Sequence, residues 1–365
     1  MSGCSHCEAN PEVMTDGGIL HLATSIGHTS TKIRGLLEEL NLKFWKLDGG
    51  DVLCADLEYR DLPGFSRKIR ENLGPGELHD TRTLYMKRGS EVGASDLARV
   101  KTLGAFTASV EAVWLKEMME ADRLTTHFQP IINTGNGRVF AYECLLRGIG
   151  EDGNLVAPGR IFEAAREAGM LFDLDRAARI KAIEEAARHD MDSYVFINFN
   201  PTSIYDPVYC LKSTMQAIER SGIDRSRIVF EVTESDEVRD TDHLYNTLAF
   251  YRNAGFKVAL DDLGAGYSSL NLLARLRPDF VKLDMYLAHD VESDPYKAMV
   301  ASRLMDLARD LEVRIVAEGI ETEEQWRWFH NAGADFMQGY FFARPASPPP
   351  VLDLKPYDLR ETRSA

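Results

Sequence analysis

The chain has 365 residues, with 57 acidic against 42 basic side chains and a formal net charge of −15. That balance argues against polymeric nucleic acid and anionic membrane as partners, though not against a small anionic ligand at a site carrying metals and a few bases. No apolar run reaches the roughly 20 residues of a spanning helix, so membrane insertion is not expected, and the length suits a barrel plus a smaller domain.

The N-terminal stretch has no basic segment followed by an apolar one, so a signal peptide is not expected and the cytoplasm is the expected location. The cysteines, Cys4, Cys7, Cys54, Cys144 and Cys210, are odd in number and scattered. Such a set argues against a disulfide framework and for a reducing compartment. Cys4 and Cys7 form a single Cys-x-x-Cys with His6 between them. A structural Zn²⁺ needs about four ligands. Cys54, His21 or His28 would complete that set, and a frayed, reduced terminus is the alternative.

Residues 1–17 read as a loose tail at the start of a small α/β domain over 1–95. Ile19 to Ala23 predicts a strand, and Thr29 to Leu40 a helix with Ile33, Leu36, Leu37 and Leu40 on one face. Phe44 to Leu47 and Val52 to Leu57 flank Gly49-Gly50, a hairpin turn signal. Leu62 to Leu73 predicts a second helix and Thr83 to Met86 a last strand. No helix N-terminus follows Gly49-Gly50-Asp51, so this is not a nucleotide loop. Residues 96–122 predict a linker helix carrying Leu97, Val100, Leu103, Val110, Val113, Trp114 and Met118. That stripe either pairs with its twin in a homodimer or packs on its own domains.

From residue 123 to 350, short apolar runs alternate with amphipathic helices. The strands are Phe128–Ile132, Val139–Leu146, Tyr194–Phe199, Ile228–Val232, Lys257–Leu260, Phe280–Leu283, Arg314–Ala317 and Asp335–Phe341. Helices include Arg160–Ala168, Asp175–Arg188, Asp242–Ala254, Pro295–Leu311 and Glu323–Ala332. This order predicts an α/β fold, a closed (β/α)₈ TIM-like barrel. An open doubly wound sheet is the alternative, but the Gly-rich first turn it needs is absent. Residues 351–365 are a polar tail after a proline stop.

Polar residues close these strands in turn: Glu143, Asn198, Glu231 with Glu234, Asp261 with Asp262, Lys282 with Asp284, Glu318 with Glu321, and Gln338. In a parallel barrel such ends share one face, where barrel active sites sit. A single one is usually a cap or an edge hydrogen bond, and Asp261-Asp262 alone reads as a helix cap beside a surface acid. Several carboxylates at one mouth repel strongly unless cations meet them. Two Mg²⁺ or Mn²⁺ ions would resolve the repulsion. The oxygen-only donor set disfavours zinc, and two ions sharing an Asp suit phosphodiester cleavage. Lys282 is placed to orient or deprotonate the attacking water or to neutralise phosphate; a buried salt bridge to Asp261 or Asp262 is the plainer reading, and the two are compatible. Arg147 has the fork that matches phosphate oxygens.

With these residues in place, the chain resembles the EAL family of cyclic di-GMP phosphodiesterases. The signature stands here as Glu143-Cys144-Leu145-Leu146-Arg147, with Cys144 where the family has Ala, at a position that does not coordinate metal. Asn198-Phe199-Asn200-Pro201, Glu231-Val232-Thr233-Glu234, Lys282-Leu283-Asp284 and Ala317-Glu318-Gly319-Ile320-Glu321-Thr322 follow in the family's order. Asp261 to Leu270 matches with Leu263 in place of Phe, and Gln338-Gly339-Tyr340 ends the set. The match covers about residues 123–350 and leaves the N-terminal domain unrecognised.

The resemblance implies a barrel whose first strand runs against the others, and cleavage of cyclic di-GMP to linear pGpG. It implies that Glu143, Asn198, Glu231 and Asp261 bind a first ion, and that Asp261 and Asp262, with Glu318 nearby, serve a second. Lys282, Glu318 and Glu143 are the implied catalytic set. Gln129, Arg147, Asp284 and Gln338 are the implied ligand contacts, with Glu321 and Gln338 supporting the metal waters. Glu234 would hold the loop containing Gly264 and Gly266, which the family uses to couple metal binding to dimerisation. Ca²⁺ is expected to inhibit through its looser coordination. The expected assembly is a homodimer regulated by the N-terminal domain. The alternatives are a non-catalytic cyclic di-GMP receptor and a barrel enzyme for another phosphodiester.

Overall fold

The computed structural model describes residues 17–24, 26–47, 51–200, 210–233, 241–264 and 269–352. These divide into two compact units, one of 17–123 with 159–174, the other of 124–158 with 175–352.

In the first unit, β1 (Gly18–Ala23), α1 (Gly27–Glu39), β2 (Lys43–Lys46), β3 (Val52–Leu57), α2 (Leu62–Asn72), α3 (Pro75–Asp80) and β4 (Arg82–Lys87) follow in order. The sheet order is β2-β3-β1-β4, extended at the β4 edge by β5 (Lys101–Thr102), and all its pairs are antiparallel. This is the split β-α-β-β-α-β arrangement. Alternation in β1 turns Leu20 and Leu22 to one face, where they pack with Ile33, Leu36 and Leu37 of α1 and Phe65 and Ile69 of α2. The Gly49-Gly50 turn expected between β2 and β3 lies outside the described residues.

The continuous linker helix expected over 96–122 is not formed. A 3₁₀ turn spans Ala94–Arg99, β5 pairs with β4, and two helices follow, α4 (Leu103–Glu111) and α5 (Val113–Glu120). Thr102 explains the restart: its extended backbone ends β5, and its hydroxyl caps α4 by accepting from the Ala105 amide at 3.1 Å. Leu103, Phe106 and Val110 then join the core under the sheet, while Leu97 is exposed. Helix α6 (Pro158–Ala168) also belongs to this unit from Gly159 onward, and a second boundary between units falls within α7 (Leu171–Arg188), after Leu174.

The second unit is an eight-strand closed barrel. Its strands are β6 (Leu124–Asn133), β7 (Val139–Ile149), β9 (Tyr194–Asn198), β10 (Ile228–Thr233), β11 (Lys257–Leu263), β12 (Phe280–Leu283), β13 (Arg314–Ala317) and β14 (Phe336–Gln338). A two-residue β8 (Leu155–Val156) pairs with β7 outside the ring. Order runs β6-β14-β13-β12-β11-β10-β9-β7, and the β6–β7 pairing closes it. β6 is antiparallel to both neighbours, and the other pairs are parallel. β6 begins four residues before the apolar run that announces it, because Leu124 to His127 pair along β7 without apolar alternation of their own. Helices α8 (Lys212–Ser221), α9 (Thr241–Asn253), α10 (Ser269–Leu276), α11 (Met285–Ala288), α12 (Pro295–Asp310) and α13 (Glu323–Ala332) complete the unit.

One residue from each strand fills the barrel's interior: Ile131, Ala141, Phe196, Val229, Ala259, Phe280, Val316 and Phe336. Two-residue periodicity sends Phe230 the other way, onto Tyr251 of α9 at 4.5 Å and onto Phe256 at 5.1 Å. Arg314 lies over the Phe280 ring at 4.1 Å, two residues before Val316 on the same strand.

Candidate active site

The apolar layer fixes what comes next. Two residues further along each parallel strand, the same inward direction returns, and the residues there are Glu143, Asn198, Glu231, Asp261, Lys282, Glu318 and Gln338. β6 runs the other way, so its inward residue at that level is Gln129, two before Ile131. Register agrees: Gln129 stands opposite Glu143, and Glu231 opposite Asn198. A polar layer therefore sits on the apolar plug at the C-terminal ends of the parallel strands.

Lys282 is the centre of that layer and is 1% exposed. Its Nζ lies 2.7 Å from Glu318 Oε1, 3.1 Å from Glu231 Oε1, 3.3 Å from Asp261 Oδ1 and 3.4 Å from Glu143 Oε2. Four carboxylates on one ammonium leave a buried excess of negative charge. Burial pushes Glu231 and Glu318 well above the usual carboxylate value, with Lys282 opposing and neighbouring acids adding. Asp261 is raised for the same reasons, and Asp262 is pushed up to about 6 by burial, then by Asp261. Glu143 goes the other way: burial works to raise it, but Lys282 and hydrogen bonds from Gln338 and Asn198 hold it below its ordinary value. Lys282 is held well above its ordinary value, since the four acids outweigh its burial.

The residues fit divalent cations. The two Glu231 oxygens are closed to solvent, accept no hydrogen bond among the described residues and meet Lys282 only as a charge. One carboxylate oxygen each from Asp261, Asp262 and Glu318 lie within 4.8 Å of one another, so this group can hold a metal. Consecutive strand residues normally face apart. Here the register of β11 against β12 shifts between Leu260 and Leu263, and Asp262 adopts φ +56°, which lets adjacent carboxylates converge. An all-oxygen donor set of this kind suits Mg²⁺, Mn²⁺ or Ca²⁺ rather than zinc.

Amides frame the acids. Asn198 Nδ2 donates to Glu143 Oε1 at 3.1 Å, and Gln338 Nε2 donates to Glu143 Oε2 at 2.6 Å and to Gln129 Oε1 at 3.1 Å. Arg147 is half-buried and donates to the Leu146 carbonyl at 2.7 Å. Asp284 caps α11, accepting from the Tyr286 amide at 2.8 Å, and its charge helps raise Asp262. Glu321 is exposed, and its amide donates to Gln325 at 2.8 Å. Gly264 has φ +105°, and a Cβ there would stand 2.7 Å from Leu287. Glu234 and Gly266 lie outside the described residues, as do Cys4 and Cys7. His21 and Cys54, named as their partners, are opposite one another on β1 and β3.

Sequence reasoning passed over the buried Asp175–Arg179 pair of α7, where Asp175 accepts from the Asn200 amide at 2.9 Å. The signal was an acid and a base one helical turn apart on a face that is otherwise apolar.

A family model described as EAL domain matches residues 112–345. A protein of Escherichia coli K12 named probable cyclic di-GMP phosphodiesterase PdeG is 29% identical over 242 residues, 64% of this chain and 46% of that protein. The cyclic di-GMP phosphodiesterase NbdA of Pseudomonas aeruginosa is 30% identical over 240 residues, 63% of this chain and 30% of that protein. The chain thus spans less than half the length of these two relatives. Among solved structures, a standalone versatile EAL protein from Vibrio cholerae O395, in its c-di-GMP-bound form, is 33% identical with a TM-score of 0.58. It covers 64% of this chain and 96% of its own. The PaMucR phosphodiesterase in complex with c-di-GMP is 28% identical with a TM-score of 0.58, covering 65% and 97%. Among the described residues, no helix is long and apolar enough to cross a membrane.

Proposed function

The chain belongs to the EAL family, and from that premise we propose that it hydrolyses cyclic di-GMP to linear pGpG, using two Mg²⁺ or Mn²⁺ ions at the mouth of its barrel. The observation that carries this reading is Lys282 buried among Glu143, Glu231, Asp261 and Glu318, an acid excess that its one charge does not neutralise.

Glu143, Asn198, Glu231 and Asp261 would hold one ion, and Asp261, Asp262 and Glu318 the other. When bound, the ions supply Lewis acidity to the phosphate and make the attacking water a better nucleophile. The chain's own part is placement and charge. Lys282 presents N–H donors beside the same carboxylates, where it orients the attacking water and meets the charge that grows on the phosphate. Gln338 and Asn198 fix both oxygens of Glu143. Arg147 offers its fork to the phosphate oxygens. Water oxygen bonds to phosphorus, the P–O3′ bond breaks, and the leaving oxygen takes a proton, so one phosphodiester opens and the other is kept. On this reading residues 1–120 regulate the barrel, and the working assembly is a homodimer.

The test is incubation of the full chain with cyclic di-GMP and Mg²⁺ or Mn²⁺, followed by chromatography. Linear pGpG should accumulate and EDTA should stop it. Tight binding without product would select the non-catalytic receptor, and turnover of other phosphodiesters alone would select a different substrate.

A further inference from the structure

Three consecutive residues at the end of β9 are each fastened to a different element. Asn198 Nδ2 donates to Glu143 Oε1 at 3.1 Å, the Phe199 amide donates to the Glu231 carbonyl at 3.0 Å, and the Asn200 amide donates to Asp175 Oδ1 at 2.9 Å. The first two partners belong to the acidic mouth. The third lies on α7, where Asp175 and Arg179 stand one helical turn apart and form an ion pair through Oδ2 and Nη1. Asp175 is 4% exposed and Arg179 is fully buried. The guanidinium sits 5.9 Å from the Phe199 ring centre, and that ring packs on Tyr251 at 5.1 Å.

For stability alone this pair is a poor choice. Nε and Nη2 of Arg179 make no hydrogen bond among the described residues. Each such buried donor carries a desolvation cost that no hydrogen bond returns, and apolar replacements of buried ion pairs are often neutral or stabilising. What an apolar pair would not supply is the second carboxylate oxygen, which holds backbone two residues from Asn198.

We infer that Asp175, its charge balanced by Arg179, is a positioning residue for the ion site: by holding the Asn200 amide it fixes the Asn198 side chain against Glu143. The inference rests on reading the acidic mouth as a divalent-ion site. Asp175 would touch neither ion nor substrate. Outer partners that orient a metal ligand in this way cost about 10–100-fold in affinity when removed.

The test is calorimetric titration of Mn²⁺ alone into the full chain, with thermal unfolding of the same samples in EDTA. In the double variant Asp175→Ala with Arg179→Met, the unfolding midpoint should stay near wild type while the Mn²⁺ Kd rises about 10-fold or more. In Asp175→Asn with Arg179→Gln an amide oxygen can still accept from Asn200, so the Kd should return to within about 3-fold of wild type. Asn200→Pro deletes the donated N–H and leaves the ion pair intact. It should raise the Kd as the apolar pair does, and it carries the test should the apolar pair fail to fold. Unchanged Mn²⁺ affinity in the apolar pair or in Asn200→Pro overturns the inference and leaves the ion site standing. So does a loss that the Asn and Gln variant does not rescue, with the midpoint falling in parallel. A wild-type chain that binds no Mn²⁺ overturns the ion site itself, and the inference with it.

Discussion

Lys282 Nζ and Glu231 Oε1 lie 3.1 Å apart, and neither side chain reaches solvent. The lysine is the only cation paired with these acids among the described residues. Lys282→Met keeps the length of the chain and removes the charge, leaving Glu143, Glu231, Asp261 and Glu318 to repel one another. Breaking a buried pair by deleting one partner costs about 3–5 kcal/mol. Urea unfolding in EDTA should show a loss of that order, and saturating Mn²⁺ should shrink it, because ions then supply the missing charge. A loss that Mn²⁺ does not change would mean that no ion binds among these carboxylates. Turnover in Mn²⁺ should fall, since Lys282 no longer meets the attacking water or the phosphate.

Glu143→Ala and Asp261→Ala test the site from the other side. Each deletes one carboxylate from an over-acidic cluster, so neither leaves a bare cation and the barrel should keep its fold by circular dichroism. Turnover should drop by at least about 100-fold, the upper end of what even outer partners of a metal site cost. Ca²⁺ in place of Mg²⁺ should also inhibit, since its longer and looser coordination misplaces the attacking water. Full turnover in both variants would end the ion-site reading.

The acidic mouth was legible in the sequence because a period of two is short. Each apolar run that fills the barrel ends within two residues of the polar side chain pointing the same way, so Phe196 announces Asn198 and Phe280 announces Lys282. The direction of β6 was not legible from its residues, since an alternating strand reads the same in both senses; only the family resemblance supplied it. The convergence of Asp261 with Asp262 depends on a register shift and a left-handed φ, which no residue type in Asp-Asp-Leu signals. The linker helix failed because apolar spacing outweighed the capping signal of Thr102. The Asp175–Arg179 pair has a sequence signal, an acid and a base one turn apart, but the Asn200 amide that Asp175 also holds is backbone, which leaves no mark in a sequence.

Gly339 marks the closest backbone approach beside the site. The Ile320 amide donates to the Gln338 carbonyl at 3.0 Å, and the Phe341 amide donates to the Ile320 carbonyl at 2.9 Å. A Cβ on Gly339 would stand 2.0 Å from Ile320 O and 2.3 Å from Ile320 N. Both are backbone atoms, so no rotamer change relieves the clash. Gly339→Ala should cost at least about 3 kcal/mol, the upper end for overpacking, and should displace Gln338 from Glu143. Denaturant unfolding measures the first effect. A crystal structure of the variant measures the second, and an unmoved Gln338 would show that the strand yields elsewhere.

Glu77 gives the first unit a pH dependence of its own. Its carboxylate accepts from the Gly74 amide at 2.9 Å, from Lys32 Nζ at 2.9 and 3.0 Å, and from the Thr29 hydroxyl at 3.1 Å. These contacts join the start of α3 to α1. The Gly74 amide first, then Lys32, lowers the Glu77 pKa to about 2 from an ordinary 4.5. A carboxylate whose folded pKa is depressed contributes stability in full above its unfolded value. That contribution is lost as pH falls from about 4.5 through about 2, below which both folded and unfolded states hold the proton. Glu77→Gln keeps the shape and removes the charge, so it should lower the stability of the unit at pH 7. The gap to wild type should narrow from about pH 4.5 downwards and close below about pH 2. Unfolding followed by Trp45 fluorescence across that range checks it, and a gap independent of pH would show that packing, not charge, is what Glu77 provides.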